Sequence, residues 1–145
     1  MEYLIGIVLG LSIAVLAKIL GFDKDRSFYP VILIVIAMYY VLFAVISESS
    51  DTIIIELTIA LLFAALAIIG ARISAIVIAA GLMAHGLFDM FHNQLVMNAG
   101  VPLWWPGFCA GVDIVLGVFV LYSAMICSNK SFRPTTLPGQ PPLEK

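Results

Sequence analysis

The chain has 145 residues, 63% hydrophobic and 11% charged, with a mean hydropathy of +1.13 and a formal net charge of -2. A soluble domain is about 45–50% apolar and about 25% charged. An ordinary soluble domain, a disordered chain and a basic nucleic-acid binder are excluded, and lipid is the expected partner of this surface.

A bilayer-spanning helix takes about 20 mostly apolar residues, and five such segments follow one another. The first covers residues 3–22. The residues before it include Glu2 and no Lys or Arg, and no small-residue cleavage site follows it cleanly, so it reads as a retained helix rather than a secretory signal. Asp23-Lys24-Asp25-Arg26 separates it from the second span, residues 28–47, which carries Tyr39 and Tyr40. Either tyrosine packs in the bundle or brings its hydroxyl to a polar partner. Glu48-Ser49-Ser50-Asp51 is the next break, and the third span, residues 53–71, holds Glu56 near its start.

The break Gly70-Ala71-Arg72-Ile73-Ser74 is tight and predicts an antiparallel hairpin with the fourth span, residues 75–95. That span carries His85, Asp89 and His92. A connection rich in Trp, Pro and Gly leads to the fifth span, residues 106–127, with Cys109 and Asp113. Trp104 and Trp105 fit an interfacial belt, and the connection is also placed to lid a polar site beneath it. Residues 129–145 hold Pro134, Pro138, Pro141 and Pro142 without apolar periodicity, the composition of a disordered tail. The expected fold is all-α, an integral membrane bundle of five transmembrane helices.

With five spans, all seven basic residues (Lys18, Lys24, Arg26, Arg72, Lys130, Arg133, Lys145) fall on one side, Lys18 by snorkelling from the last turn of its helix. Lys and Arg mark cytoplasmic loops. The N-terminus is expected outside and the C-terminus in the cytoplasm, in a cell membrane (the inner one, in a bacterium). Gly6/Gly10 and Gly107/Gly111 are faces on which helices approach closely, and they offer a route to a homo-oligomer. Cys109 and Cys127 stand a full span apart on one helix and cannot pair with each other.

Ionisable groups inside spans cost about 2.5–3.5 kcal/mol each on insertion scales and are functional candidates by default. His85, Asp89 and His92, at i, i+4 and i+7, share one helical face. Counted from the outer interface, Glu56 and His92 lie roughly 5 Å deep, Asp89 and Asp113 roughly 9–12 Å, and His85 roughly 15 Å. The economical expectation is one outward-facing cluster.

Two imidazoles and two carboxylates suit Zn²⁺ or Fe²⁺, with His85, Asp89, His92 and Asp113 as ligands and Glu56 and Cys109 as further candidates. A water on such a metal could attack an ester or amide, with Asp113 or Asp89 as general base. The same carboxylates would serve as a proton relay in a transporter or channel subunit. In a structural or assembly protein they would be hydrogen-bonding glue between helices.

His85-x3-Asp89-x2-His92 followed by Pro102-x-Trp104-Trp105-Pro106-x-Phe108-Cys109-x3-Asp113 resembles a family of small bacterial integral membrane proteins of unknown function. The resemblance covers nearly all of the chain before the tail and implies no activity. More distantly, the cluster is similar to that of membrane hydrolases of the alkaline ceramidase and adiponectin receptor type, in which His, Asp and Ser hold zinc inside a helical bundle. That likeness implies a metal-dependent hydrolase acting on a lipid-like substrate. The chain departs from the pattern in having five spans rather than seven and only two histidines. It also lacks a paired His-x3-His, and nothing singles out Ser47, Ser49 or Ser50 as the serine.

Overall fold

The computed structural model describes residues 1–131, with side chains to residue 126. Each expected span is a single helix: α1 Glu2–Leu20, α2 Phe28–Ile46, α3 Ser50–Ile73, α4 Ala75–Leu95 and α5 Trp105–Ser131. All five are long and apolar enough to cross a membrane. Residues 129–131, expected in the tail, continue α5; the rest of that tail lies outside the described residues, as does the side chain of Cys127.

The breaks are made by local backbone chemistry. Gly21 sits at φ 78, the left-handed position that ends α1, and a 3-10 turn Phe22–Lys24 follows. Ser49 accepts from the Thr52 N–H and starts α3. Ser74 is extended, ends α3, and accepts the Ile76 N–H at 3.2 Å to start α4, so a single residue joins the two helices. Pro30 and Pro106 both fall in a first helical turn, where a missing N–H goes unnoticed.

Helix order in the bundle differs from order in the chain. α1 packs along α5, α5 along α4, α4 along α3, and α3 along α2, which also reaches α4. Although a short loop joins α1 and α2, they hardly touch, and a lateral gap remains between them. Glycine decides this arrangement. A Cβ added at Gly6 would lie 2.1 Å from the Phe108 carbonyl oxygen, and one at Gly111 would lie 2.7 Å from the Tyr3 oxygen. Gly10 meets Val112 and Val115 in the same way, and Gly107 meets Glu2 and Tyr3. The two glycine faces expected to bring copies together are therefore occupied by each other within one chain. The physical reason is that contact in lipid rewards close backbone approach, and α1 and α5 take that contact themselves.

The core divides along the membrane normal. At the Ser74 end it is apolar, built from Tyr29, Leu33, Ala67, Ile78, Leu82, Leu116 and Val120. At the Trp104 end it is polar: Glu56, His85, Asp89, His92 and Asp113 are all buried to 1% exposure or less. Aliphatic side chains of α1, α2 and α3 cover the outside.

Candidate functional site

α4 delivers three of the polar side chains because positions 85, 89 and 92 fall on its buried face with Leu82 and Gly86. Gly86 lets α5 come close: a Cβ there would meet the Asp113 Cβ at 3.1 Å. This approach puts Asp113 Oδ2 2.7 Å from His85 Nδ1, with Asp89 Oδ2 3.4 Å from the same nitrogen. His85, Asp89 and Asp113 each offer a ligand atom within 4.8 Å of the others. The ring of Phe63 meets the His85 ring edge to face at 4.6 Å and closes that side with hydrocarbon.

A second group lies nearer the Trp104 end. His92 Nε2 is 2.8 Å from Glu56 Oε1, and Asn98 Nδ2 donates to that same oxygen at 2.9 Å and to the Tyr40 carbonyl at 3.1 Å. Tyr40 links the two groups. Its hydroxyl donates to Asp89 Oδ1 at 2.7 Å, while its ring stacks on His92 at 4.0 Å.

The single cluster expected from the shared face is thus two clusters. His92, expected as a ligand beside His85, pairs instead with Glu56, and neither joins the three-residue group. Seven residues of helix separate the two histidines by about 10 Å, whereas donors to one ion each lie about 2.0–2.2 Å from it. A common face fixes direction, and the rise per residue then sets the two rings too far apart along the axis to share one ion. Cys109 is buried one turn above Asp113 and lies outside the group. Of the two tyrosines, Tyr40 reaches the site. Tyr39 packs edge-on to Trp105 at 5.1 Å.

The connection between α4 and α5 does cover the polar half. Asn98 bonds Glu56, Thr52 donates to the Met97 carbonyl at 3.3 Å, and Trp105 packs on Phe43. Asn98 was not legible as a site residue, since a polar side chain in a loop gives no periodic signal. Tyr40 was expected only as one of two alternative tyrosines, and the stripe Leu33, Ala37, Tyr40 and Ala44, all four buried, is the signal that separates it from Tyr39.

Charge balance defines what the first group can do. One imidazole carries at most one positive charge against two carboxylates, in surroundings where uncompensated charge is costly. Among the described residues, Asp89 Oδ2 and Asp113 Oδ1 have no hydrogen-bond partner although both are buried. A proton shared between the carboxylates or a bound cation would satisfy them. One turn toward the Ser74 end, Leu33, Leu82 and Leu116 are fully buried and seal the cluster from below.

Comparison of the chain with protein-family models, curated proteins and solved structures finds no match.

Proposed function

We propose that the protein is a membrane-embedded hydrolase of lipid-like substrates that works with a divalent metal ion, zinc or iron, held by His85, Asp89 and Asp113. One observation carries this reading. Three ligand atoms, one from each residue on two adjacent helices, lie within 4.8 Å of one another, and among the described residues the two carboxylates keep two buried oxygens, Asp89 Oδ2 and Asp113 Oδ1, without a hydrogen-bond partner. The donor set of one imidazole and two carboxylates suits both metals. When bound, the ion would supply Lewis acidity and a water poised to lose a proton near neutral pH. Asp89 is held by Tyr40 and is the more fixed ligand. Asp113, with Oδ2 against His85 and Oδ1 open, would hold the ion through one oxygen and, with the other, take a proton from water and return it to the leaving group. Tyr40 orients Asp89 and is a positioning residue.

Metal analysis of the detergent-purified chain tests the reading. About one zinc or iron per chain, lost in His85→Ala and in Asp113→Ala variants that still fold, is the expected result. No stoichiometric metal, or metal content untouched by either substitution, overturns it.

A second reading, a proton-coupled transporter or channel subunit, draws on the run Asp113–His85–Asp89–Tyr40, in which each member lies within 3.4 Å of the next. The sealed leucine layer beneath leaves that run without a path to the Ser74 end, and so favours the hydrolase. Proton flux in liposomes that Asp113→Asn abolishes would reverse the preference.

The orientation we propose, N-terminus and Trp104 end outside, rests on Lys18, Lys24, Arg26 and Arg72 lying at the other end. Labelling of cysteines substituted at Glu48 and at Lys24 with an impermeant maleimide reads it directly. Preferential reaction at Lys24 on intact cells would reverse the assignment.

A further inference from the structure

The gap between α1 and α2 is a groove of about 750 Å³, within the range of small-molecule sites. Its walls are aliphatic: Ile5, Leu9 and Ile13 from α1, and Ile32 and Ile36 from α2. Its floor is α5, where Cys109, Val112 and Asp113 lie. Trp104, Trp105 and Tyr39 stand at the mouth. From position 1 to position 13 of α1 the groove is about 18 Å long, and Asp113 lies about 12 Å below Trp105. It therefore runs at acyl-chain depth, opens sideways to the bilayer, and touches the proposed metal group at one residue only.

Two physical arguments say what fills it. Helices that dock in lipid do so through stripes of small residues. The small residues of α1 (Gly6, Gly10, Ala14, Ala17) are already buried, the first two against α5, and those of α2 (Ala37, Ala44) face the bundle interior. What remains at the groove is branched hydrocarbon, which suits a flexible chain better than a rigid helix. At the floor, Asp113 is fully buried and keeps an oxygen with no partner. An all-hydrocarbon occupant would bring no group able to use that oxygen or an ion held on it, whereas an amphiphile carries a polar linkage to place at the Asp113 wall.

We infer that the α1/α2 groove is a lateral opening that takes one aliphatic chain of an amphiphile from the leaflet at the Trp104 end and sets its ester or amide linkage beside Asp113. This deepens the hydrolase reading, on which the role of the linkage rests; binding of the chain in the groove stands without it. The substrate class is then a membrane amphiphile with at least one aliphatic chain, reached from within the bilayer rather than from water.

Photolabelling tests the inference. A phosphatidylethanolamine bearing a diazirine midway along one acyl chain is placed in vesicles with the whole protein, irradiated, and the modified residues are mapped by mass spectrometry. Adducts should concentrate on Leu9, Ile13, Ile32 and Ile36. Leu61, Leu62 and Ile68, exposed apolar residues of α3, report ordinary bilayer contact. Ile36→Trp, which fills the groove, should reduce adducts at Leu9 and Ile13 to the α3 level while leaving metal content as in the unsubstituted chain. Equal labelling of the two faces overturns the inference, and the unsubstituted chain decides this even if Ile36→Trp does not fold. Efficient disulfide formation between two copies carrying Leu9→Cys also overturns it, since the groove would then be a subunit interface. A labelled groove in a metal-free protein sinks the metal centre alone. A metal-loaded protein with an unlabelled groove sinks the groove alone.

Discussion

The phenol ring of Tyr40 lies stacked on the imidazole of His92, centroids 4.0 Å apart and planes within 17°. The same side chain donates its hydroxyl to Asp89 at 2.7 Å. One residue thereby holds together two polar groups that share no direct hydrogen bond, and its two contacts can be removed separately.

Tyr40→Phe keeps the stack and deletes the hydroxyl, leaving Asp89 Oδ1 buried without its donor. The expected cost is about 1–3 kcal/mol of stability. Losing the partner that orients Asp89 should also weaken metal binding by about 10–100-fold. Thermal unfolding and a metal titration of the purified variant measure the two effects. An unchanged metal affinity would deny Tyr40 its positioning role.

The Glu56–His92 pair should carry stability without carrying metal. His92→Ala leaves the buried Glu56 carboxylate with Asn98 as its remaining described partner, at a cost of about 3 kcal/mol, the lower end for breaking a buried pair. Replacing both residues by Leu should cost clearly less than the two single changes added together. Metal stoichiometry should be unaltered in every variant that folds. A loss of metal in Glu56→Gln would merge the two groups again.

Close packing of α1 on α5 makes a third prediction. At Gly6 any Cβ meets the Phe108 carbonyl, and a backbone oxygen has little freedom to move. Gly6→Val should therefore destabilise by about 3 kcal/mol or more, at the upper end of overpacking. At Gly10 the nearest atom is a side-chain carbon 3.0 Å away, and Gly10→Ala should cost about 1 kcal/mol. Thermal unfolding in detergent ranks them, and the reverse order would show that α1 does not sit as described.

Outside the spans, Asp25 accepts bonds from the Ser27 hydroxyl and backbone N–H, which hold its carboxyl below the ordinary 3.8. A depressed folded pKa stabilises the loop above pH 3.8, and that contribution is lost as pH falls through the folded value. Asp25 is fully exposed, so the effect is local. Titration followed by its carboxyl chemical shift should show the depression, with Ser27→Ala moving it back toward 3.8. Ordinary titration of Asp25 in the unsubstituted chain would contradict the turn.

The number and limits of the helices are legible in composition because lipid demands apolar runs of one length, and α1 to α5 end within a few residues of those runs. His85, Asp89 and Asp113 are legible for a related reason: a four-residue spacing reaches one point in space, and a short connection makes α4 and α5 neighbours. Beyond this local geometry the reading fails in two places. The depths counted along the helices already set His92 level with Glu56 and about 10 Å from His85, and the expectation of one cluster passed over that separation. The glycine faces, expected as a route between copies, give no sign of their partner, and Gly6 and Gly111 meet each other across nearly the whole length of the described chain. Small-residue contacts between distant segments leave no periodic trace that names the partner.

The lone residue between α3 and α4 bears on how these charges first enter the bilayer. With Ser74 as the whole connection, the two helices have no slack and cross as one hairpin, bringing Glu56 and His92 level with each other during synthesis. Asp113 belongs to α5, which is made after both. Until α5 follows, His85 and Asp89 face a half-built wall, and the assembly of their site waits for that helix.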